Sequence, residues 1–140
     1  MSMKVLEDAR SHPARDMAMR SMRCAESKDR EGWLGLWAED GLIQDPVGVS
    51  PLDPEGQGHR GIEAITSFYD RIMAPADLRF HIRESFACGS ECANVGTITT
   101  RLGTMISRTE LVAVYRLDDA GKLASLRAFW EFEDTTAGIY

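Results

Sequence analysis

The chain has 140 residues, 44% of them hydrophobic, and its 16 Lys and Arg face 22 Asp and Glu for a net charge of −6. That length suits one domain spanning 1–140, and 5 Phe, 3 Trp and 3 Tyr supply a core that a disordered chain would lack. The acidic balance argues against nucleic acid, no apolar run nears the roughly 20 residues that span a bilayer, and the charged start is not a secretory signal, so a cytoplasmic location is expected.

Residues 14–27 place Ala14, Met17, Ala18, Ser21 and Ala25 at helical spacing. Asp29 reads as the N-cap of a second, short helix that buries Trp33, Leu36 and Trp37 and ends at Glu39-Asp40-Gly41. Leu42 to Asp45 is a short strand stopped by Pro46, and Val47 to Arg60 is a Pro- and Gly-containing loop. Ile62, Ile65, Phe68, Tyr69, Ile72 and Met73 mark a third amphipathic helix. After Pro75 the period changes to two. Leu78, Phe80 and Ile82 alternate with Arg79, His81 and Arg83, and three more β-prone stretches follow over 94–102, 106–117 and 123–132. Helices first and an antiparallel meander afterwards predict an α+β fold, a curved sheet wrapped by three helices into a cone whose interior is a pocket. Residues 1–12 and 135–140 are expected to be flexible.

Gly56-Gln57-Gly58-His59-Arg60-Gly61 matches the dinucleotide fingerprint as a string, but a Pro-rich loop and not a strand leads into it, so a pocket lip is the better reading. Three cysteines, with Cys88 and Cys92 spaced C-x3-C and no second ligand pair, point to reduced packing residues, and no metal site is expected. Asp45 is the most informative residue. At the end of an apolar strand its carboxylate loses solvation, which lifts the pKa toward that of a general base; before proline it also fits an exposed Asx turn. His59 stands where it could overhang a pocket mouth, and a buried Tyr69 phenol needs a hydrogen-bond partner and can donate a proton.

The run Trp37-Ala38-Glu39-Asp40-Gly41-Leu42-Ile43-Gln44-Asp45-Pro46-Val47-Gly48, with Asp29 to Trp33 before it, Gly61 to Tyr69 after it and Tyr115 to Trp130 near the end, resembles the ketosteroid isomerase branch of the nuclear transport factor 2-like superfamily, including its SnoaL-like members. The likeness covers roughly residues 14 to 132, and Asp45-Pro46-Val47-Gly48 is its most specific string. It implies a cone-shaped α+β domain, a homodimer, an apolar pocket and no cofactor. Asp45 falls on the family's catalytic base, Tyr69 on its pocket tyrosine, and Trp37, Phe68 and Trp130 on pocket-wall positions, with Phe80 and Tyr115 as further wall. The family's oxyanion donors are a tyrosine on the first helix and a protonated aspartic acid in the penultimate strand; this family is a standard illustration of such tuning. An ungapped alignment puts Ser21 and Ala113 in those places.

Loss of one strong oxyanion donor costs about 3 kcal/mol or more, so steroid isomerisation is expected to be slow. The resemblance then implies lyase chemistry, such as elimination or deformylation, on a hydrophobic, phenolic two-ring substrate. In that reading Asp45 moves the proton while Tyr69 and His59 assist the leaving group. The superfamily's scytalone dehydratase and lignin-dimer lyases make such aromatic catabolism available by analogy. A steroid Δ-isomerase with Ser21 and Tyr115 as substitute donors is the alternative, and a non-catalytic carrier of lipophilic ligands is a third reading.

Overall fold

The computed structural model of the chain describes residues 4–132 and 136–139. Helix α1 (Lys4–Asp8) precedes α2 (Pro13–Ser27) and α3 (Arg30–Leu34). His12 caps α2, its Nδ1 accepting from the Ala14 N–H at 3.1 Å, and Pro13 fills the first helical position, where no N–H is needed. Ala14, Ala18, Ser21, Met22 and Ala25 form the buried face of α2.

Asp29 caps α3 as the sequence predicts, accepting from the Gly32 N–H at 3.0 Å. That helix is shorter than expected. It closes at Gly35, and the chain passes at once into strand β1 (Trp37–Gln44), so Trp37 begins a strand and does not complete a helical face. The cause is tertiary: the Leu36 carbonyl accepts from Leu123 N–H at 2.8 Å and Trp37 pairs with Leu123, which draws the segment into the sheet.

A two-residue strand β2 (His59–Arg60) leads into α4 (Ile62–Phe68), which continues as a π-helical turn over Tyr69–Met73. Strands β3 (Asp77–Cys88), β4 (Glu91–Leu102), β5 (Met105–Leu117) and β6 (Leu123–Phe129) then form the meander, and β7 (Thr136–Ile139) adds to β5. The sheet order is β2-β1-β6-β5-β4-β3. All pairs are antiparallel except β1 with β6, which run parallel, a departure from the purely antiparallel sheet expected.

Both termini carry regular elements. Within 1–12, α1 is helical and its Leu6 is 3% exposed in the core; within 135–140, residues 136–139 form β7. Residues 1–3, 133–135 and 140 lie outside the described part.

Period two decides the sheet's two faces. Phe80 and Ile82 are buried between exposed Arg79, His81 and Arg83, and Leu111, Ala113, Tyr115 and Leu117 turn inward along β5. Strand β3 carries a bulge between Ile82 and Glu84, and a bulge bends the strand that holds it. Opposite it stands Gly96, where a Cβ would come within 2.2 Å of the His81 carbonyl oxygen. Only glycine permits that approach, and with it the curvature that leaves a hollow between sheet and helices. Trp33, Met22, Ile43, Ile65 and Leu123 are fully buried around it, each contributing about 1.5–3 kcal/mol relative to exposure. Among the described residues no helix is long and apolar enough to cross a membrane.

Candidate active site

The hollow is a chamber of about 470 Å³ between the concave sheet face and helices α2 and α4, within the size range of small-molecule sites. Its wall is largely apolar, with Met22, Phe68, Phe80, Leu111 and Trp130 among the lining side chains. Against this background a few polar groups stand out.

Asp45 follows β1 directly. Gln44 pairs with Arg127 on β6 and Val47 N–H donates to the Ala128 carbonyl at 2.9 Å, which holds this stretch of backbone beside β6; the Asp45–Pro46 peptide is cis. It lines the chamber and accepts a 2.6 Å hydrogen bond from Trp130 Nε1. The residue keeps partial accessibility, yet burial raises its pKa above the ordinary aspartate value, while the Trp130 hydrogen bond and the nearby His59 oppose that rise. This is the buried setting foreseen for a general base and not the exposed Asx turn.

Tyr115 lines the same chamber from β5 and is 4% exposed. Burial lifts its phenol well above the usual range, and the Asp45 charge adds to the effect. The hydroxyl therefore stays protonated and available as a donor.

Ser21 and Ala113, the positions where the resemblance places donors, both line the chamber; Ser21 is buried and offers a hydroxyl, Ala113 nothing polar. Asn94, which sequence reasoning did not single out, is the direct cross-strand partner of Ala113 and also lines the chamber. It is 0% exposed, its Oδ1 accepts from Cys92 Sγ at 3.4 Å, and its Nδ2 has no partner. Farther along the same two strands Thr100 and Ser107, another cross-strand pair, add hydroxyls to the wall.

Three expected site residues stand off this wall. Tyr69 is 3% exposed but packs on Trp33 with ring centres 5.3 Å apart, and the charges of Arg30, Asp29 and Asp70 act on its phenol. Phe68 lines the chamber, whereas the next residue, Tyr69, turns its ring to Trp33. Trp37 packs on Trp33 at 5.5 Å behind the wall, a consequence of its place in β1. His59 stands one side chain removed, its ring 4.9 Å from Phe68, and burial lowers its pKa below the ordinary histidine value.

The glycine-rich loop is a packing device. Asp53 accepts from Gly56 N–H at 3.2 Å and from Gly58 N–H at 2.7 Å, and a Cβ on Gly58 would strike Gln44, Leu42 and the Ile43 carbonyl. The loop lies against β1 and lends Leu52 to the chamber wall. Among the described residues no three His, Cys, Asp or Glu side chains are grouped as metal ligands.

Residues 18–126 match the model of the SnoaL-like domain. The steroid Δ-isomerase of Nocardioides simplex is 30% identical over 95 residues, 68% of this chain and 71% of that protein. The crystal structure of a Δ5-3-ketosteroid isomerase from Mycobacterium sp. superimposes with a TM-score of 0.87 at 34% identity, covering 91% of this chain and 100% of that one. RV0760c from Mycobacterium tuberculosis gives a TM-score of 0.89 at 33% identity, covering 94% and 100%, and is similar also in its complex with estradiol-17β-hemisuccinate. With its curved sheet, chamber and Asp45-Pro46 turn, the chain belongs to the SnoaL-like family, in the ketosteroid isomerase-like branch of the nuclear transport factor 2-like superfamily.

Proposed function

We propose that the protein is an isomerase that moves a proton within a lipophilic ring ketone of the ketosteroid class. The observation that carries this reading is the pair Asp45 and Tyr115 on one apolar chamber wall, a desolvated carboxylate beside a phenol that burial keeps protonated.

Ionised Asp45 takes a proton from the carbon between the carbonyl and the C=C bond. The electron pair of that C–H bond delocalises onto the carbonyl oxygen, giving a dienolate. Tyr115 donates a hydrogen bond to the oxygen as its charge grows, in a site where low polarity strengthens the bond. Asp45 then returns the proton to the far carbon of the former double bond, which leaves a conjugated enone. Atoms and electrons balance within substrate and carboxylate, so the sequence of steps uses no cofactor.

The expectation of lyase chemistry on a phenolic two-ring compound rested on a want of strong donors. Tyr115 meets that want, and similarity to two named steroid isomerases supports isomerisation over elimination. Tyr69 and His59 have no part in the proposed steps because neither lines the chamber. For assembly we propose a homodimer through the convex sheet face, where the cross-strand pair Val112 and Phe129 and nearby Phe86 are exposed; sedimentation equilibrium tests it.

The activity test is the conversion of a 3-oxo-Δ5-steroid, followed by the absorbance of the conjugated enone. An isomerase accelerates it over buffer. A lyase leaves the steroid unchanged and instead releases water or formaldehyde from a phenolic two-ring compound. A carrier binds the steroid and turns over neither.

A further inference from the structure

Among the described residues three buried side-chain polar atoms lack a hydrogen-bond partner: Trp37 Nε1, His59 Nε2 and Asn94 Nδ2. Of these only Asn94 belongs to a residue that lines the chamber. A buried amide N–H without a partner is costly, and on a chamber wall a ligand oxygen can supply the missing acceptor.

The rest of the Asn94 side chain is held by a chain of hydrogen bonds that starts at a buried cation. Arg15, 9% exposed on α2, donates from Nε to Ser85 Oγ at 3.0 Å, and its other nitrogens reach the carbonyls of Arg10 and Ser85. Ser85 Oγ meets Cys92 Sγ at 3.5 Å, and Cys92 Sγ in turn donates to Asn94 Oδ1. Arginine only donates. The Cys92 thiol spends its hydrogen on Asn94 Oδ1, so Ser85, which accepts from Arg15, gives its own hydrogen to the sulfur. With Oδ1 taken by the thiol, the NH₂ is the end of the carboxamide left without a partner, on a residue of the chamber wall.

We infer that Asn94 anchors an acceptor oxygen of the bound ring substrate through Nδ2, and that Arg15, Ser85 and Cys92 are positioning residues that fix its amide. Identifying this oxygen as the ketone rests on the isomerase reading; the anchor itself does not. Asn94 is the cross-strand partner of Ala113, so an amide on β4 stands beside the position on β5 that lacks a donor.

The test is binding, read by quenching of tryptophan fluorescence, of a 3-oxo-steroid and of the same steroid without the 3-oxygen. The wild type prefers the ketone. Asn94→Leu, which keeps the side-chain volume, lowers that preference about fivefold, the worth of one neutral hydrogen bond, and leaves the affinity for the deoxo steroid in place. Cys92→Ala lowers the preference in the same direction, whereas Cys92→Ser, which restores a donor to Oδ1, retains it. Should Asn94→Leu fail to fold, the two Cys92 variants decide. An unchanged preference in Asn94→Leu or Cys92→Ala, equal losses in both Cys92 variants, or a wild type that does not distinguish the two steroids overturns the inference. Because the readout is affinity and not turnover, a failure of the isomerase reading shows separately, as absent enone formation.

Discussion

Trp130 Nε1 donates a 2.6 Å hydrogen bond to Asp45 Oδ1, joining the residue just after β6 to the one just after β1. The bond favours the charged carboxylate in a place where burial disfavours it. Removing the indole donor with Trp130→Phe therefore pushes the Asp45 pKa further up. The acid limb of the kcat/KM profile moves to higher pH than in the wild type, a shift that steady-state rates across pH resolve. An unmoved limb would show that Trp130 contributes only to the wall.

The same carboxylate links stability to pH. Its folded pKa lies above the ordinary aspartate value of 3.8, because of burial. A raised pKa means that the folded state holds the proton more tightly than the unfolded one. The associated stability is present below the unfolded value and is lost as pH rises through the folded value. Asp45→Asn consequently unfolds at higher urea than the wild type at pH 7, and the two midpoints converge near pH 4 and below. A wild type that remains the more stable protein at pH 7 contradicts the desolvation.

In the proposed isomerisation Tyr115 is the donor to the dienolate oxygen. Tyr115→Phe removes a donor that strengthens as the dienolate forms, so kcat falls about 10²- to 10³-fold while KM changes little. A kcat within threefold of the wild type, roughly, would remove the phenol from the mechanism.

Much of this site is legible in the chain, and the gaps have physical causes. Asp45 is marked by its place at the end of an apolar strand before proline and Phe80 by period two, whereas Tyr115 stands in the unbroken apolar run Leu111 to Tyr115 and is placed on the wall with the family resemblance. Trp37, Tyr69 and His59 need more than pattern. A helix end settled by tertiary pairing at Leu123, the packing of Tyr69 on Trp33, and one intervening ring at Phe68 keep all three off the chamber wall. Asn94 lay hidden because its stretch is rich in Thr and reads simply as β-prone. Its signal is parity: Cys92, Asn94, Gly96 and Ile98 share one face of β4, and a lone amide among them is the kind of polar group that a core tolerates only with a partner.

Curvature has its own test. Gly96→Ala places a methyl group within 2.2 Å of the His81 carbonyl oxygen, so the β3 bulge must shift. Equilibrium urea unfolding should show a loss of about 2 kcal/mol, in the range of overpacked cores. Unchanged stability would mean that the bend of the sheet does not depend on this contact.

The most direct test of the whole account is the turnover of a 3-oxo-Δ5-steroid by Asp45→Asn, measured beside the binding of the same steroid. Affinity survives and kcat drops about 10²- to 10⁴-fold, since the amide fills the same space but accepts no proton. A variant that binds and turns over like the wild type would contradict it.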